Sequence, residues 1–189
     1  MKKILIAALM TAGVAHAAPV SYDIEPNHTF PSFEADHMGI SVWRGKMNKN
    51  SGKVVLDKAA GSGTVDITID TSSIDFGQQA LNKWAIGADL FDVAKFGADA
   101  RYKGKLAGFA NGAPTQVVGE LTLHGVTRPM NLKLNLFKCV PHPMLKRELC
   151  GADAEGSFRR DEFGLTAGKD YGFNMTVALR IQVEAIATE

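Results

Sequence analysis

"GELTLHGVTRPMNLKLNLF", Gly119 to Phe137, decides the fold class. Leu121 and Leu123 alternate with Glu120, Thr122 and His124. After a short break Met130, Leu132, Leu134 and Leu136 alternate with Asn131, Lys133 and Asn135. Alternation with a period of two marks strands with one apolar and one polar face. An apolar face of this kind belongs either to a filled core or to the wall of a cavity.

The same pattern recurs outward from this stretch. "GTVDITID" (63–70) sets Val65, Ile67 and Ile69 against Thr64, Asp66, Thr68 and Asp70. "MTVALRIQVEAI" (175–186) sets Met175, Val177, Leu179, Ile181 and Val183 against Thr176, Arg180, Gln182 and Glu184. "SYDIE", "TFPSFEAD", "SVWRGKMNKNSGKVVLD", "ARYKGKLAGF" and "GADAEGSFRR" read as shorter or interrupted strands. Asn50-Ser51-Gly52, Gly61-Ser62-Gly63, Asn111-Gly112 and Gly168-Lys169-Asp170 punctuate them as turns. About eight strands at short intervals give an all-β chain, an antiparallel barrel or sandwich. One segment departs: "QQALNKWAIGADLFDVAKFGAD" (78–99) repeats Leu81, Trp84, Ala85 and Ala88 at helical spacing. Gly87 serves as a stop, and Asp89 is the expected cap of a second turn running through Phe91 and Phe96.

Residues 1–17 are read as a cleaved signal peptide and 18–189 as one domain. Lys2 and Lys3 precede an apolar run from Ile4 to Ala15, and Ala15-His16-Ala17 supplies small residues at the cleavage site. The run is short for a membrane span, which points to the periplasm. Removing Lys2 and Lys3 from 21 basic side chains leaves 19 against 20 acidic ones. So balanced a chain lacks the footprint of a nucleic-acid partner, and no later segment reads as membrane-spanning. Cys139 and Cys150 are an even count in an exported chain and are expected to form a disulfide closing "CVPHPMLKRELC", with about 3 kcal/mol from chain entropy.

Reaction machinery is not evident. Nucleophile elbow, phosphate loop, dinucleotide fingerprint, zinc-protease and CxxC patterns are all missing from the sequence. His28 and His37 lie an odd number of residues apart and would face opposite ways on one strand; no metal site is expected. His124 sits at the "HGVT" turn and His142 between two prolines. Asp66 and Asp70 fall on an outer face, and Asp161 and Glu162 follow Arg159 and Arg160 in what reads as an exposed charged hairpin.

"YDIEPNHTFPSFEADHMG" (22–39), Gly45, "GTVDITIDTSSID" (63–75), "DLFDVAKFGADARY" (89–102), "GELTLHGVTRPMNLKL" (119–134) and "GADAEGSFRRDEFGL" (151–165) together resemble the YceI-like family, in family order across essentially all of residues 18–189. The resemblance implies a lipocalin-like antiparallel barrel with a short helical insertion. It also implies a bound polyisoprenoid lipid, of the prenyl quinone or polyprenyl phosphate class, as ligand rather than cofactor. Three features depart from the family: "KWAIGA" replaces a charged stretch before the D-x-F-D segment, "FGADARY" replaces the usual strand start, and many members lack the Cys139–Cys150 loop.

The resulting expectation is a binding protein with no catalytic residues. Leu121, Leu123, Leu132, Leu134, Val177, Leu179 and Ile181 would line a tail cavity, with Phe30, Phe33 and Trp43 beside them and Trp84 or Phe91 as a flap at the mouth. Inward faces rich in Leu, Val, Ile and Met, few large aromatics, and Gly104, Gly119 and Gly156 within strands all favour an open lumen. Two alternatives stand beside it: an interaction or stress protein with a solid barrel, and an enzyme using His37 or His124 as a general base. A homodimer is compatible with the sequence.

Overall fold

The computed structural model describes residues 18–188; the signal-peptide reading of 1–17 lies outside them. The elements in chain order are β1 (Val20–Ile24), β2 (Phe30–His37), β3 (Ser41–Met47), β4 (Asn50–Asp57), β5 (Ser62–Asp70), β6 (Ile74–Asp75), α1 (Gln79–Ala85), α2 (Val93–Phe96), β7 (Asp99–Ala107), β8 (Gln116–Leu123), β9 (Val126–Pro129), β10 (Leu132–Pro141), β11 (Glu148–Arg159) and β12 (Thr176–Ala187).

The strands combine into eight antiparallel staves, because several are halves of one interrupted strand. β1 and β2 run in line along β12, through Tyr22↔Ala187 and Phe33↔Leu179. β3 and β4 continue one another beside them, as do β5 and β6. β9 and β10 both face β8, through Glu120↔Pro129 and Val117↔Leu132. Each stave pairs with its sequence neighbour, and the pairing of β12 with β1 and β2 closes the ring. Closure leaves no free sheet edge.

The break at residues 25–29 follows from Pro26, which has no N–H for a ladder. Thr29 repairs the gap: its hydroxyl donates to the Glu184 carbonyl at 3.1 Å and accepts from the Glu184 amide at 3.0 Å. The buried Asn50 side chain donates to the Thr29 carbonyl at 2.6 Å. At the tight turn between β8 and β9, His124 and Gly125 take φ of 55° and 76°, the left-handed pair that matches strand twist. Asn111 (φ 52°) and Gly112 (φ 78°) do the same between Ala110 and Ala113, as the Asn-Gly signal predicts.

The outer surface carries cross-strand ion pairs: Arg101 with Asp66, Lys133 and Arg180 with Glu155, and Arg44 with Glu34. A lipid-embedded barrel is apolar outside, so this one is turned the opposite way. No helix among the described residues is long and apolar enough to cross a membrane.

The two ends differ. Where β1 begins and β12 ends, Tyr22 (1% exposed), Leu56, Cys150, Ala185 and Ala187 pack into a buried plug. The Cys139–Cys150 disulfide joins directly opposed residues of β10 and β11 at this end, with a Cα–Cα distance of 4.0 Å. The other end receives the β2–β3 turn, the helical insertion and the connection from Arg160 to Met175, which forms short 3-10 turns at Arg160–Phe163 and Lys169–Tyr171.

Three expectations need correction here. The second helical turn starts at Val93, with Asp92 and not Asp89 at its N-cap position and no side-chain cap bond there. Leu136 does not continue the inward face of β10: a bulge between Leu134 and Leu136 shifts the register, leaving Leu136 61% exposed and turning Phe137 inward. One extra residue inverts a period-two pattern. The Arg159–Glu162 segment is not an exposed hairpin: Arg160 is buried and the Asp161 side chain is only 9% exposed.

Candidate functional site

The inner faces do not meet. Along β5 every residue from Asp66 to Asp70 is half-buried, whichever face it occupies, and β2 is half-buried throughout. A filled core would have buried the inward set and spared the outward one. The space they surround is a cavity of about 470 Å³, within the range of roughly 300–1,000 Å³ usual for small-molecule sites.

Strand parity builds its wall. β5 contributes Val65, Ile67 and Ile69. β8 gives Leu121 and Leu123, β10 gives Leu132 and Leu134, and β12 gives Val177, Leu179 and Ile181. All seven aliphatic residues expected from the sequence therefore line the lumen, together with Phe33, Trp43, Trp84 and Phe91. Phe30 does not. It stands three residues from Phe33, so alternation sends the two rings to opposite faces, and Lys46 Nζ lies 4.3 Å over the outward Phe30 ring.

The wall is more aromatic than expected. Phe76, Tyr102, Phe137, Phe158, Tyr171 and Phe173 join the four rings anticipated. Toward the insertion they form a continuous set: Phe33 meets Phe76 at 5.3 Å, Phe76 meets Trp43 at 6.0 Å, Trp43 stacks on His37 at 4.4 Å, and His37 meets Phe173 at 5.1 Å. These rings sit on the wall and do not plug the lumen. Gly45 makes the set feasible, since a Cβ there would lie 2.6 Å from Phe33 Cζ.

The in-strand glycines do not widen the lumen as supposed, because neighbours already occupy their space. A Cβ at Gly119 would fall 2.6 Å from the Tyr102 hydroxyl, and at Gly156 2.7 Å from Leu132 Cδ2; at Gly104 it would reach Val117 Cγ1 at 2.6 Å. Tyr102 lies across Gly119 and donates to the Met130 carbonyl at 2.9 Å; burial pushes its phenol pKa up, so it stays neutral.

Trp84 comes from α1 and Phe91 from the loop after it. Gln78 caps α1 by accepting from the Leu81 amide at 2.6 Å, and Asn82 ties it to the strand end, accepting from the Phe76 amide at 2.8 Å and donating to Asp75. The Phe91 amide donates to the Ala85 carbonyl at 3.0 Å. Across the opening, Tyr171 is 77% exposed while still lining the cavity.

Among the described lining residues only Asp36 and Arg160 carry charge. Asp36 accepts from the Gly39 amide (3.0 Å) and the Asn174 amide (2.9 Å), joining the β2–β3 turn to the start of β12. Sequence reasoning placed neither residue at the site. Parity could have found Arg160, which shares the inward set of Ala152, Ala154 and Phe158. The general-base reading gains no support: His37 is stacked between rings, and His124 donates from Nδ1 to the Phe163 carbonyl at 3.1 Å. Neither meets a carboxylate among the described residues.

Residues 22–185 match the family described as the YceI-like domain. Protein YceI of Salmonella arizonae and Protein YceI of Salmonella heidelberg are each 31% identical over 184 residues, 96% of this chain and 94% of theirs. Among solved structures, BcnA of Burkholderia cenocepacia superposes with a TM-score of 0.66 at 19% identity, covering 85% of this chain and 98% of its own. A polyisoprenoid binding domain from Saccharophagus degradans, implicated in plant cell wall breakdown, does so with 0.65 at 18%, covering 89% and 99%.

Proposed function

This chain belongs to the YceI-like family, and we propose that it is a periplasmic carrier of a long-chain polyisoprenoid lipid held in the barrel lumen. The observation that carries the proposal is the lumen itself: an apolar space of about 470 Å³ with two charged wall residues, lined otherwise by aliphatic and aromatic side chains. Its charge arrangement is that of a container for an apolar guest, with ion pairs outside and hydrocarbon inside. Each five-carbon isoprene unit taken from water is worth roughly 4 kcal/mol before ordering costs, at about 0.8 kcal/mol per CH₂. Two or three units therefore suffice for firm binding without polar contacts. The solved domain named for polyisoprenoid binding supports the same guest. The Cys139–Cys150 disulfide fits an oxidising compartment, as does the sequence pattern of residues 1–17.

The test is native mass spectrometry of the protein purified from its own host, followed by organic extraction and a titration of lipid-stripped protein with a prenyl quinone. A bound species with a prenyl mass ladder, or saturable uptake of the quinone, is expected. A mass equal to the bare chain together with no uptake refutes the carrier reading.

A further inference from the structure

The turn between β2 and β3 carries residues that do not suit a turn in water. The Ile40 amide donates to the His37 carbonyl at 3.1 Å, and Met38 and Gly39 between them take φ of 58° and 70°. A left-handed first position favours Asn, Asp or His over other side chains; the turns at Asn111-Gly112 and His124-Gly125 obey this. Here the position holds a methionine that is 51% exposed, followed by Ile40 at 76% and Val42 at 47%. From His37 to Trp43 there is no Asp, Glu, Lys or Arg. Single exposed apolar residues are ordinary on a protein surface. Three within five residues at a hairpin tip, one of them in a conformation that disfavours it, form a patch for which folding gives no reason.

The tip is continuous with the lumen. The His37 ring at its base stacks on Trp43 and meets Phe173 edge-on, and Trp43 and Phe173 both line the cavity. Asp36 fastens the turn to the 160–175 connection through the Gly39 and Asn174 amides. That connection supplies Tyr171, a cavity residue that is also largely exposed; an apolar ring with a wet hydroxyl is typical of membrane interfaces. The charges at this end balance. Residues 78–98 hold Lys83 and Lys95 against Asp89 and Asp92, and residues 160–175 hold Arg160 and Lys169 against Asp161, Glu162 and Asp170. Without a cationic excess there is no electrostatic pull toward anionic lipid, so what this end offers a partner is apolar surface.

We propose that the β2–β3 tip, with Tyr171 beside it, is a docking rim that dips into the interface of a lipid bilayer and sets this end of the lumen against it. The proposal rests on the carrier reading and adds the surface from which the guest enters. An isoprenoid resides in a bilayer and not in water, so a carrier must touch a bilayer to fill or empty. Met38, Ile40 and Val42 enter the boundary between head groups and acyl chains, as the apolar face of an interfacial helix does. The aromatic set from Phe33 to Phe173 then leads from that boundary into the lumen.

The experiment sediments lipid-stripped protein with phosphatidylcholine vesicles, with and without phosphatidylglycerol, at low and high salt, and follows prenyl quinone transfer between vesicles. The parent should bind both kinds of vesicle with little dependence on salt. Met38→Asn combined with Ile40→Ser should weaken that partitioning by about 10- to 100-fold, since two side chains lose their apolar transfer, and should slow quinone transfer. Quinone affinity in solution should hold, because neither residue lines the cavity. Met38→Asn alone is the folding control: Asn suits the turn, so it should melt no lower than the parent while partitioning falls. Met144→Ser, at the exposed tip of the β10–β11 loop beyond the disulfide, should leave partitioning as it was. Three results overturn the inference: no binding of the parent to either vesicle, binding only to phosphatidylglycerol that salt abolishes, or loss of binding in Met144→Ser in place of the tip variant. A concentration-dependent doubling of mass that the tip variant removes also overturns it, assigning the patch to a second copy of the chain. All four leave the carrier reading standing while the parent takes up quinone; absence of that uptake removes the carrier reading itself.

Discussion

Ala154 offers the sharpest test of an open lumen. It lies on β11, its neighbours across the sheet are Leu134 and Ile181, and its methyl group faces the cavity. Ala154→Trp projects an indole into that space. A tryptophan covers about 150–250 Å² of apolar surface, which at about 25 cal/mol per Å² is about 4–6 kcal/mol of burial that a guest can no longer claim. Prenyl quinone affinity should therefore fall by about 10²–10³-fold, allowing for a flexible tail to re-route. Stability should move the other way. An indole entering an empty apolar space gains contacts, so lipid-stripped Ala154→Trp should melt no lower than the parent. In a filled core the same change is overpacking, costs about 1–3 kcal/mol and lowers Tm by about 2–12 °C. Calorimetric melting and quinone titration of the same lipid-stripped sample separate the cases. A drop of several degrees with unaltered quinone uptake refutes the reasoning, because it would mean a packed interior and a guest bound outside it.

Reducing the Cys139–Cys150 bond, or replacing both cysteines by serine, should cost about 3 kcal/mol and about 6–12 °C in Tm, read by thermal melts with and without reductant; ligand affinity should hold, since the bond lies at the plugged end. Gly45→Ala sets a Cβ 2.6 Å from Phe33 Cζ and 2.9 Å from the Asp75 carbonyl, so about 1–3 kcal/mol should be lost in urea unfolding, with a change in quinone affinity because the Phe33 ring must shift. The loop holding Arg160 should loosen in acid. Lys169 first, then Arg159, hold the Asp161 carboxyl below its ordinary range. A carboxylate depressed in the folded state stabilises above its unfolded pKa of about 3.9 and loses that contribution as pH falls through the folded value. Amide exchange in residues 160–171 should accelerate below about pH 4, and Asp161→Asn should show that faster exchange already at neutral pH.

Where chain geometry is regular, the sequence was enough. Val65, Ile67 and Ile69, or Val177, Leu179 and Ile181, reach the lumen because a strand alternates strictly and the wall repeats that alternation. Cysteine count alone led to the disulfide. Regularity fails at three kinds of place. The bulge at Asn135 exchanges Leu136 for Phe137 on the inner face, and nothing local in "KLNLF" announces it. Phe76, Tyr171 and Phe173 reach the lumen from turns, where no period exists to read. Arg160 was legible by parity with Phe158 but was masked by its charged neighbours, since Arg159-Arg160-Asp161-Glu162 reads as surface. Phe30 was open to the same parity argument, and pairing it with Phe33 disregarded alternation.

The failures at Phe76, Tyr171, Phe173 and Arg160 fall at the end that carries the insertion, whereas Phe30 and the β10 bulge share a mid-barrel row, Leu136↔Asp153↔Gln182↔Phe30. The plugged end is built from strand residues in register and carries the disulfide; the open end is built from the insertion, the 160–175 connection and the β2–β3 turn. Two of the chain's departures from the family pattern fall at the open end. "KWAIGA" contributes Trp84 to the wall, and "FGADARY" contributes Ala100 and Tyr102. Substitutions there change the shape of the lumen without touching barrel closure, which rests on β1, β2 and β12. It follows that stability and ligand choice are separable in this protein. Changes among Tyr22, Leu56 and Cys150 should alter melting and leave the preference among isoprenoids as it was. Changes at Trp84 should alter that preference before they alter melting, whereas Tyr102, buried and bonded to the Met130 carbonyl, serves both.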